Sequence, residues 1–295
     1  RQGNEVETRE ERKNKETREQ FPLHGLKRSA PIMHRIRSRK TAEEVAQIQR
    51  AIAITGKAFE RVCGFVKPGV KEYAIEAEIT HEFLRNGSRG HAYTPIIASG
   101  YNACVLHYIT NDQVCNDGDV ILMDFGCEYG GYASDLTRCV PVNGRFTKRQ
   151  KDVYNAVWRV KNEATQLLRP GTLMADYHKQ VGKIMESELI GLGLLDKNDV
   201  AKQDPERPLY KKYFMHGTSH FLGLDVHDVG LWNEMIQPDM VFTVEPGIYI
   251  REEKLGIRLE NNILVTRDAP IDLFADIPVE ADAVEELMNR KAVVA

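Results

Sequence analysis

The chain has 295 residues, 42% of them hydrophobic and 28% charged, and 40 basic against 43 acidic residues give a net charge of −3. This composition is typical of globular proteins and excludes wholesale disorder, while the near-neutral charge gives no general attraction to nucleic acid. No apolar run approaches the roughly 20 residues that cross a bilayer, so we expect neither a nucleic-acid nor a membrane partner. The length fits one large domain or two small ones.

The first 40 residues differ in composition from the rest of the chain. Residues 1–20 are densely charged with both signs and predict a solvated tail or linker helix, whereas residues 21–40 are basic, contain Pro22 and Pro31, and are predicted to be irregular. The first residues also lack the apolar core of a signal peptide. We therefore expect a cytoplasmic protein whose five cysteines, which form no C-x-x-C motif, stay reduced.

Regular helix signals begin at Thr41. The sequence Thr41-Ala-Glu-Glu44 has the spacing of a capping box, and apolar residues then recur at helical spacing until Lys67-Pro68-Gly69 ends the helix. A second helical stretch covers about residues 71–85. The sequence therefore predicts a pair of helices before the first strands.

The same design returns later in the chain. Thr147-Lys-Arg-Gln150 offers another cap, Arg169-Pro170-Gly171 ends the helix, and a further helical stretch covers about residues 174–192. A region rich in short strands follows each helix pair. This repetition predicts an α+β fold built from two similar halves of one domain.

Four strands are predicted around the motifs that carry the chemistry. The segments 119–125 and 133–142 flank a Gly-Gly pair and predict a β-hairpin. The segments 240–245 and 256–266 predict two more strands, separated by a Pro-Gly pair and a charged loop. The short connections favour antiparallel pairing.

Four carboxylates stand where strands are otherwise apolar. They are Asp124 in V-I-L-M-D-F-G, Asp135 almost opposite it on the returning strand, Glu245 at the end of V-F-T-V-E, and Glu260 in G-I-R-L-E-N-N-I-L-V. Any one of them could face solvent at a strand edge, but a buried carboxylate is costly unless it is paired or bound to a metal. Four clustered carboxylates would repel one another, and two divalent cations would neutralise them. The pattern therefore predicts a two-metal site.

The strand that carries Glu260 has an apolar and a polar face. Apolar side chains alternate along one face, and Arg258, Glu260 and Asn262 share the other. We therefore predict that Arg258 orients Glu260 as a supporting partner of the metal ligand.

Three histidines fall within the glycine-rich stretch H-G-T-S-H-F-L-G-L-D-V-H-D, namely His216, His220 and His227. A lone histidine is more often a hydrogen-bonded structural residue, but three in so short a stretch indicate a site. No Glu follows His216 and Gly217 disfavours a helix, so a mononuclear H-E-x-x-H protease is not expected. His107, in V-L-H-Y, is a weaker candidate for the same site.

Four carboxylates and one imidazole form an oxygen-rich, hard set of ligands. Such a set suits Mn²⁺ better than a thiolate-rich set would, with Zn²⁺, Co²⁺ and Fe²⁺ as alternatives. Two metals held in this way activate a bridging water and polarise a carbonyl group. The reaction class that this implies is hydrolysis, with amide hydrolysis foremost.

The motifs occur in a fixed order along the chain: M-D-F-G, S-D-L-T-R, H-G-T-S-H-F-L-G-L-D-V-H-D, T-V-E-P-G-I-Y and I-R-L-E-N-N. With this order and these flanks, roughly residues 35–290 resemble the pita-bread metallopeptidases, and among them the bacterial aminopeptidase P group of Xaa-Pro aminopeptidases. The resemblance implies a curved antiparallel sheet flanked by helices in two pseudo-symmetric halves. It also implies hydrolysis of the peptide bond between an N-terminal residue and a following proline.

The resemblance implies a metal-binding role for each of five residues. Asp124 would bind one metal through both carboxylate oxygens, Asp135 and Glu260 would bridge two metals, and His220 and Glu245 would hold the other. A hydroxide that bridges the metals would attack the scissile carbonyl carbon. Glu245 would also carry its proton toward the leaving proline nitrogen.

Other residues would surround the substrate and the ligands. By the same resemblance, His227 and His216 would position the substrate and steady the tetrahedral intermediate, and His107 would line the proline side of the site. Tyr249 and Arg258 match family positions that support the ligands. The partners implied are therefore peptides with proline at the second position.

The sequence departs from the family pattern in two places. Family members usually carry an N-terminal domain, so we interpret residues 1–40 as a charged segment and linker that remain from an absent N-terminal domain, and residues 41–295 as the dimetal peptidase domain. Whether the chain forms a homo-oligomer stays open. Asn261-Asn262 replaces an acidic pair after the last ligand, with little expected effect.

Two other functions stay open at this point. A prolidase would cleave only Xaa-Pro dipeptides, although the stretch from His216 to Asp228 favours an aminopeptidase. A non-catalytic pita-bread binding module would have kept the fold and lost the metals, although all five ligand positions are filled here.

Overall fold

The computed structural model describes residues 7–290, and its helices follow the repeat expected from the sequence. The α-helices are α1 (Arg9–Gln20), α2 (Ala30–Ser38), α3 (Ala42–Phe65), α4 (Glu72–Arg85), α5 (Lys148–Leu167), α6 (Met174–Gly191), α7 (Lys197–Val200) and α8 (Ala281–Asn289). The pairs α3–α4 and α5–α6 correspond to the two predicted helix pairs. None of the helices within residues 7–290 has both the length and the apolar composition needed to cross a bilayer.

Helices α3 and α5 begin with the same capping box. The hydroxyl of Thr41 accepts a hydrogen bond from the N–H of Glu44, and the Glu44 carboxylate accepts one from the N–H of Thr41. Thr147 and Gln150 repeat this exchange at the start of α5. Each helix stops just before its Pro-Gly pair, so the predicted boundaries are confirmed.

The N-terminal segment is more regular than the sequence suggested. Residues 1–6 of the predicted charged segment, and residues 291–295 of the predicted peptidase domain, lie outside the described residues. Helix α1 fits the predicted linker helix and has no buried residue. The prediction that residues 21–40 are irregular holds for 21–29 but is wrong for α2, because Pro31 lies in the first turn of that helix, where its missing N–H costs no hydrogen bond.

The strands are short and pair antiparallel throughout the described residues. They are β1 (Gly90–His91), β2 (Ile96–Ser99), β3 (Val120–Phe125), β4 (Cys127–Tyr129), β5 (Tyr132–Ala133), β6 (Leu136–Pro141), β7 (Val241–Val244), β8 (Gly247–Ile250), β9 (Leu255–Arg258), β10 (Asn261–Leu264) and β11 (Ile271–Asp272). Their hydrogen bonds give four small sheets, ordered β1-β4-β5, β2-β3-β6, β11-β10-β7 and β8-β9. In the first half α3 packs on β4 and β5, and in the second half α5 packs on β7, β8 and β9.

The register of the first hairpin places its two carboxylates diagonally. Asp124 pairs with Thr137, whereas Asp135 lies just before β6, two residues away from the position opposite Asp124. Gly126 directly follows β3 and lies so close to the returning chain that a Cβ there would fall 1.8 Å from the carbonyl oxygen of Ser134. The expectation that the two carboxylates are almost opposite each other is therefore corrected to a diagonal arrangement.

The predicted strand 256–266 is broken in two. Strand β9 pairs with β8, which the sequence did not predict, and β10 pairs with β7. Between them the chain changes partners at Leu259 and Glu260, where the N–H of Glu260 donates to the carbonyl oxygen of Thr137. The break brings Glu260 against the first half of the molecule.

Candidate metal centre

The predicted site residues converge on one cavity of about 480 Å³. Nine of the ten line its wall, namely His107, Asp124, Asp135, His216, His220, His227, Glu245, Arg258 and Glu260. The tenth, Tyr249, is buried behind Arg258 and His216. Both halves of the chain contribute, because the first three residues precede α5 and the others follow α6.

Asp124 and Asp135 share one hydrogen-bond donor. The hydroxyl of Tyr93 donates to Oδ1 of Asp124 at 2.6 Å and to Oδ1 of Asp135 at 2.5 Å. The second oxygen of Asp124 accepts from the Arg258 guanidinium at 2.6 Å. The diagonal pair therefore still presents its carboxylates to one point.

Three of the five predicted ligands are close enough to hold one ion. A ligand atom from each of Asp135, His220 and Glu260 lies within 4.8 Å of the other two. Glu245 adjoins this group, with its Oε1 3.7 Å from Nε2 of His220. Asp124 adjoins it on the other side through Tyr93.

Glu260 carries an unsatisfied atom inside the cluster. Its Oε2 accepts from the Thr137 hydroxyl at 2.6 Å, whereas its Oε1 is buried without a hydrogen-bond partner among the described residues. An unpaired buried carboxylate oxygen is costly, and a cation would satisfy it. Oxygen donors with one imidazole also match the preferences of hard divalent ions, so these residues fit a metal site.

The electrostatics of the cluster call for positive charge. Burial and the neighbouring Asp135 raise the pKa of Glu260 well above its ordinary value, and burial raises the pKa of Glu245 to about 7. Burial also raises the pKa of Asp124, although Arg258 opposes that shift. Arg258 and His220 supply at most two positive charges against four carboxylates, and a bound cation would favour the charged forms of the carboxylates.

Arg258 bonds directly to Asp124 and is connected to Glu260 through Thr137. It donates to Tyr249 at 2.9 Å and to the Thr137 hydroxyl at 3.2 Å, besides its bond to Asp124. The side chains of Arg258 and Glu260 form no direct hydrogen bond. The Thr137 hydroxyl lies between them, accepting from Arg258 and donating to Glu260.

His216 is fixed at both ring nitrogens. Nδ1 lies 2.8 Å from the carbonyl oxygen of Gly217, which can only accept, so Nδ1 carries the proton and Nε2 accepts from the Tyr249 hydroxyl at 2.8 Å. Burial and the nearby Arg258 lower the pKa of His216 to about 3, which agrees with a neutral ring. The ring is thus oriented before any substrate arrives.

His220 and His227 are packed edge to face in the cavity. Their ring centroids are 4.3 Å apart. Burial acts to lower the pKa of His220, but the neighbouring carboxylates of Asp135 and Glu245 outweigh it and raise that pKa to about 9. His227 forms no hydrogen bond among the described residues and is therefore open to a ligand, and burial lowers its pKa.

Sequence reasoning missed three residues that hold the cluster together. Tyr93 and Thr137 bond directly to carboxylates, and Asn262 exchanges two hydrogen bonds with the backbone of Asp135, at 3.1 and 2.8 Å. Asn262 was expected to matter little, yet it joins the second half of the chain to the first. Its place on the polar face beside Glu260 was the available signal, while Tyr93 and Thr137 gave none.

The chain is similar to known metallopeptidases over most of its length. The model of metallopeptidase family M24 matches residues 46–267. The Xaa-Pro aminopeptidase of Escherichia coli (strain K12) is 42% identical over 272 residues, which cover 88% of this chain and 61% of that protein. This chain therefore spans about three fifths of the length of that relative.

Solved structures show the same architecture. A candidate aminopeptidase P from Bacillus anthracis matches with a TM-score of 0.91 and 36% identity, over 100% of this chain and 68% of that one. Escherichia coli aminopeptidase P in complex with substrate matches with a TM-score of 0.82 and 40% identity, over 88% of this chain and 61% of that one. The predicted α+β pita-bread fold and the predicted family resemblance are confirmed.

Proposed function

Because the chain belongs to metallopeptidase family M24, we propose that it is a metal-dependent Xaa-Pro aminopeptidase, which hydrolyses the bond between an N-terminal residue and a following proline. The observation that carries this proposal is the cluster of four buried or half-buried carboxylates and His220 in a single cavity, with one oxygen of Glu260 unsatisfied. The similarity to Xaa-Pro aminopeptidases supports the choice of substrate.

Two divalent ions are proposed to occupy the cluster. Asp124, Asp135, His220, Glu245 and Glu260 would hold them, with Mn²⁺ favoured by the oxygen-rich donors and Zn²⁺, Co²⁺ or Fe²⁺ as alternatives. When bound, such ions act as Lewis acids and generate a nucleophile from water at neutral pH. Asp124, Asp135, His220 and Glu260 are already held by hydrogen bonds to neighbours, which reduces the reorganisation that binding requires.

The side chains around the cluster divide the remaining work. Glu245 is placed to move a proton toward the leaving nitrogen, because its carboxylate faces the cavity between His220 and His216, 3.7 and 3.8 Å from their nearest nitrogens. His227 has ring nitrogens free for the substrate backbone. His216 is held by Tyr249 and Gly217, so the part of the cavity wall that it forms has a fixed shape.

The cavity suits a small apolar ring beside a peptide backbone. Ile96, Leu106, Ile109 and Val226 contribute apolar wall, and His107 lies on the same side as Leu106 and Ile109. A site with apolar walls and a few convergent polar groups is typical of small-ligand recognition. We assign His107 to the proline side on this basis.

The cellular setting is proposed from the state of the cysteines. All five cysteines are free and buried, which is consistent with a reducing cytoplasmic location. Peptides with proline second are the proposed partners, and the presence of a homo-oligomer is left to measurement.

The decisive assay compares three peptides with the Mn²⁺-loaded protein. We expect release of the first residue from a Xaa-Pro-Xaa tripeptide and no release from the matched Xaa-Ala-Xaa tripeptide. Turnover of the Xaa-Pro dipeptide alone would identify a prolidase and overturn the proposal. Absence of turnover together with absence of bound Mn, Zn, Co or Fe would identify a binding module.

A further inference from the structure

One wall of the cavity is formed by a segment without helix or strand. After the short 3-10 turn Gly100–Cys104, residues 105–110 run along the cavity and contribute Leu106, His107 and Ile109 to its lining. Within this segment, the local backbone bonds are from Val105 to Asn102 and from Tyr108 to Val105. Regular secondary structure therefore does not fix the position of His107.

A buried carboxylate behind this wall accepts five hydrogen bonds. Glu72, the first residue of α4, is fully buried. Its Oε1 accepts from the N–H and the hydroxyl of Ser99, both at 2.8 Å, and from Asn102 at 3.4 Å. Its Oε2 accepts from the Tyr108 hydroxyl at 2.7 Å and from the N–H of Gln113 at 2.9 Å.

The five donors span the whole wall segment. Ser99 and Asn102 precede it, Tyr108 lies in its middle next to His107, and Gln113 follows it. Asn111 adds a separate attachment through Glu76 and the carbonyl oxygen of Pro95. Tyr108 is therefore the side-chain anchor closest to the cavity-lining residues.

Glu72 holds the wall segment through hydrogen bonds and not through an ion pair. Among residues 7–290 it forms no salt bridge, and the five donors and its place at the N-terminus of α4 stabilise the carboxylate instead. An amide in its place has a single acceptor oxygen and could not accept all five. Burial and the bond to Glu72 raise the pKa of Tyr108, which keeps its hydroxyl a donor.

We propose that Glu72 and Tyr108 are positioning residues that hold His107 against the bound substrate. Glu72 holds the Tyr108 side chain, and Tyr108 in turn holds the backbone next to His107. The side chains of Leu106, His107 and Ile109 then form a wall of fixed shape for the bound peptide. The inference rests on the proposed function for its effect on substrate, but the anchoring itself is independent of it.

The kinetic test uses a matched pair of tyrosines in the same loop. Tyr101 is exposed, so Tyr101→Phe should leave kcat and KM for a Xaa-Pro-Xaa peptide unchanged. Tyr108→Phe should raise KM about tenfold with little change in kcat, the size expected for one hydrogen bond to a charged group. Glu72→Gln should raise KM further, because it weakens several of the five bonds.

A double-variant cycle shows whether the effect passes through His107. In a His107→Ala background, Tyr108→Phe should add little to KM, because the group that it positions is gone. If Tyr108→Phe raises KM by the same factor in both backgrounds, or no more than Tyr101→Phe does, the inference is overturned.

Hydrogen exchange separates this inference from the proposed function. Amides of residues 105–110 should exchange faster in Tyr108→Phe and in Glu72→Gln than in the unchanged protein, while those of α5 keep their rates. Unchanged exchange in residues 105–110 would reject the anchor even if the peptidase assay succeeds. Faster exchange in a protein that hydrolyses none of the peptides would retain the anchor and reject the peptidase.

Discussion

At the scale of single residues, the site brings four carboxylates close together although their negative charges repel one another. Asp124, Asp135, Glu245 and Glu260 share a cavity in which burial raises the pKa values of three of them. Hydrogen bonds from Tyr93, Thr137 and Arg258 orient Asp124, Asp135 and Glu260 without removing the mutual repulsion of the carboxylates. Cation binding and stability are therefore linked in this account.

The variant Asp135→Ala tests that link. With metal present, the activity should fall at least about 100-fold. Removing a residue that only hydrogen-bonds to a metal ligand costs about 10–100-fold, and Asp135 is proposed to be a ligand itself. Adding Mn²⁺ should raise the unfolding temperature of the variant less than it raises that of the unchanged protein, because one ligand is gone. Peptide hydrolysis and thermal unfolding with and without Mn²⁺ measure both effects.

Asp276→Ala is the matched control for this variant. Asp276 is exposed and lies outside the cavity, so its removal should change neither activity nor the rise in unfolding temperature caused by Mn²⁺. Full activity in Asp135→Ala would remove Asp135 from the metal centre.

The sequence indicated the carboxylates but not what holds them. Asp124 and Glu260 stood out because carboxylates are rare among apolar strand residues. Tyr93 and Thr137 are residue types with many ordinary uses, and their contacts arise only when separate segments fold together. Strand alternation placed Arg258 and Glu260 on one face, but it did not indicate that the Thr137 hydroxyl joins them.

At the scale of elements, the duplicated helix starts are the clearest sequence signal. Capping boxes and Pro-Gly stops are local, so α3 and α5 could be predicted almost to the residue. Strand β8 and the break after β9 could not, because strand partners are set by long-range pairing. Helix α2 was missed because Pro31 was interpreted as a breaker, although proline is compatible with a first turn.

Removing either cap should cost stability without touching the chemistry. Thr41→Ala and Thr147→Ala should each lower the free energy of unfolding by about 1 kcal/mol, because each leaves N-terminal amides of a packed helix without their acceptor. Urea unfolding measures the change, and kcat should stay the same.

The first helix supplies the control for the two caps. Thr8 forms the same capping box at α1, but α1 buries no residue, so Thr8→Ala should leave the global unfolding free energy unchanged. A loss equal to that of Thr41→Ala would show that α1 is part of the cooperative unit.

At the scale of the whole molecule, the last residues of the N-terminal segment belong to the packed structure. Lys40 and Asp228 are both buried, and their side chains meet at 3.3 Å. Arg37 also forms an ion pair with Asp228, and the backbone of Arg39 forms an isolated antiparallel β-bridge with Met240. The predicted linker is thus attached next to His227 by a buried ion pair.

Two shortened chains test this attachment. A chain that begins at Ala30 loses α1 and should keep its stability within about 0.5 kcal/mol. A chain that begins at Thr41 leaves Asp228 buried without its cations, and should lose about 3–5 kcal/mol. Equal urea midpoints for the two chains would contradict this view of residues 37–40.

The two halves meet at the proposed metal centre. Asn262 from the second half bonds to Asp135 of the first, and Arg138 of the first half donates to the carbonyl oxygen of Glu260 at 2.7 Å. The sequence predicted two similar halves but not this junction, because it depends on how the halves dock. The docking also creates the cavity and its unsatisfied Glu260 oxygen.

The most direct test of the account is anomalous diffraction from crystals of the Mn²⁺-loaded protein at the manganese edge. We expect two peaks about 3.5–4 Å apart, the spacing of two-metal hydrolytic sites, surrounded by Asp124, Asp135, His220, Glu245 and Glu260. A single peak, no peak, or peaks held by other residues would contradict the proposed dinuclear centre.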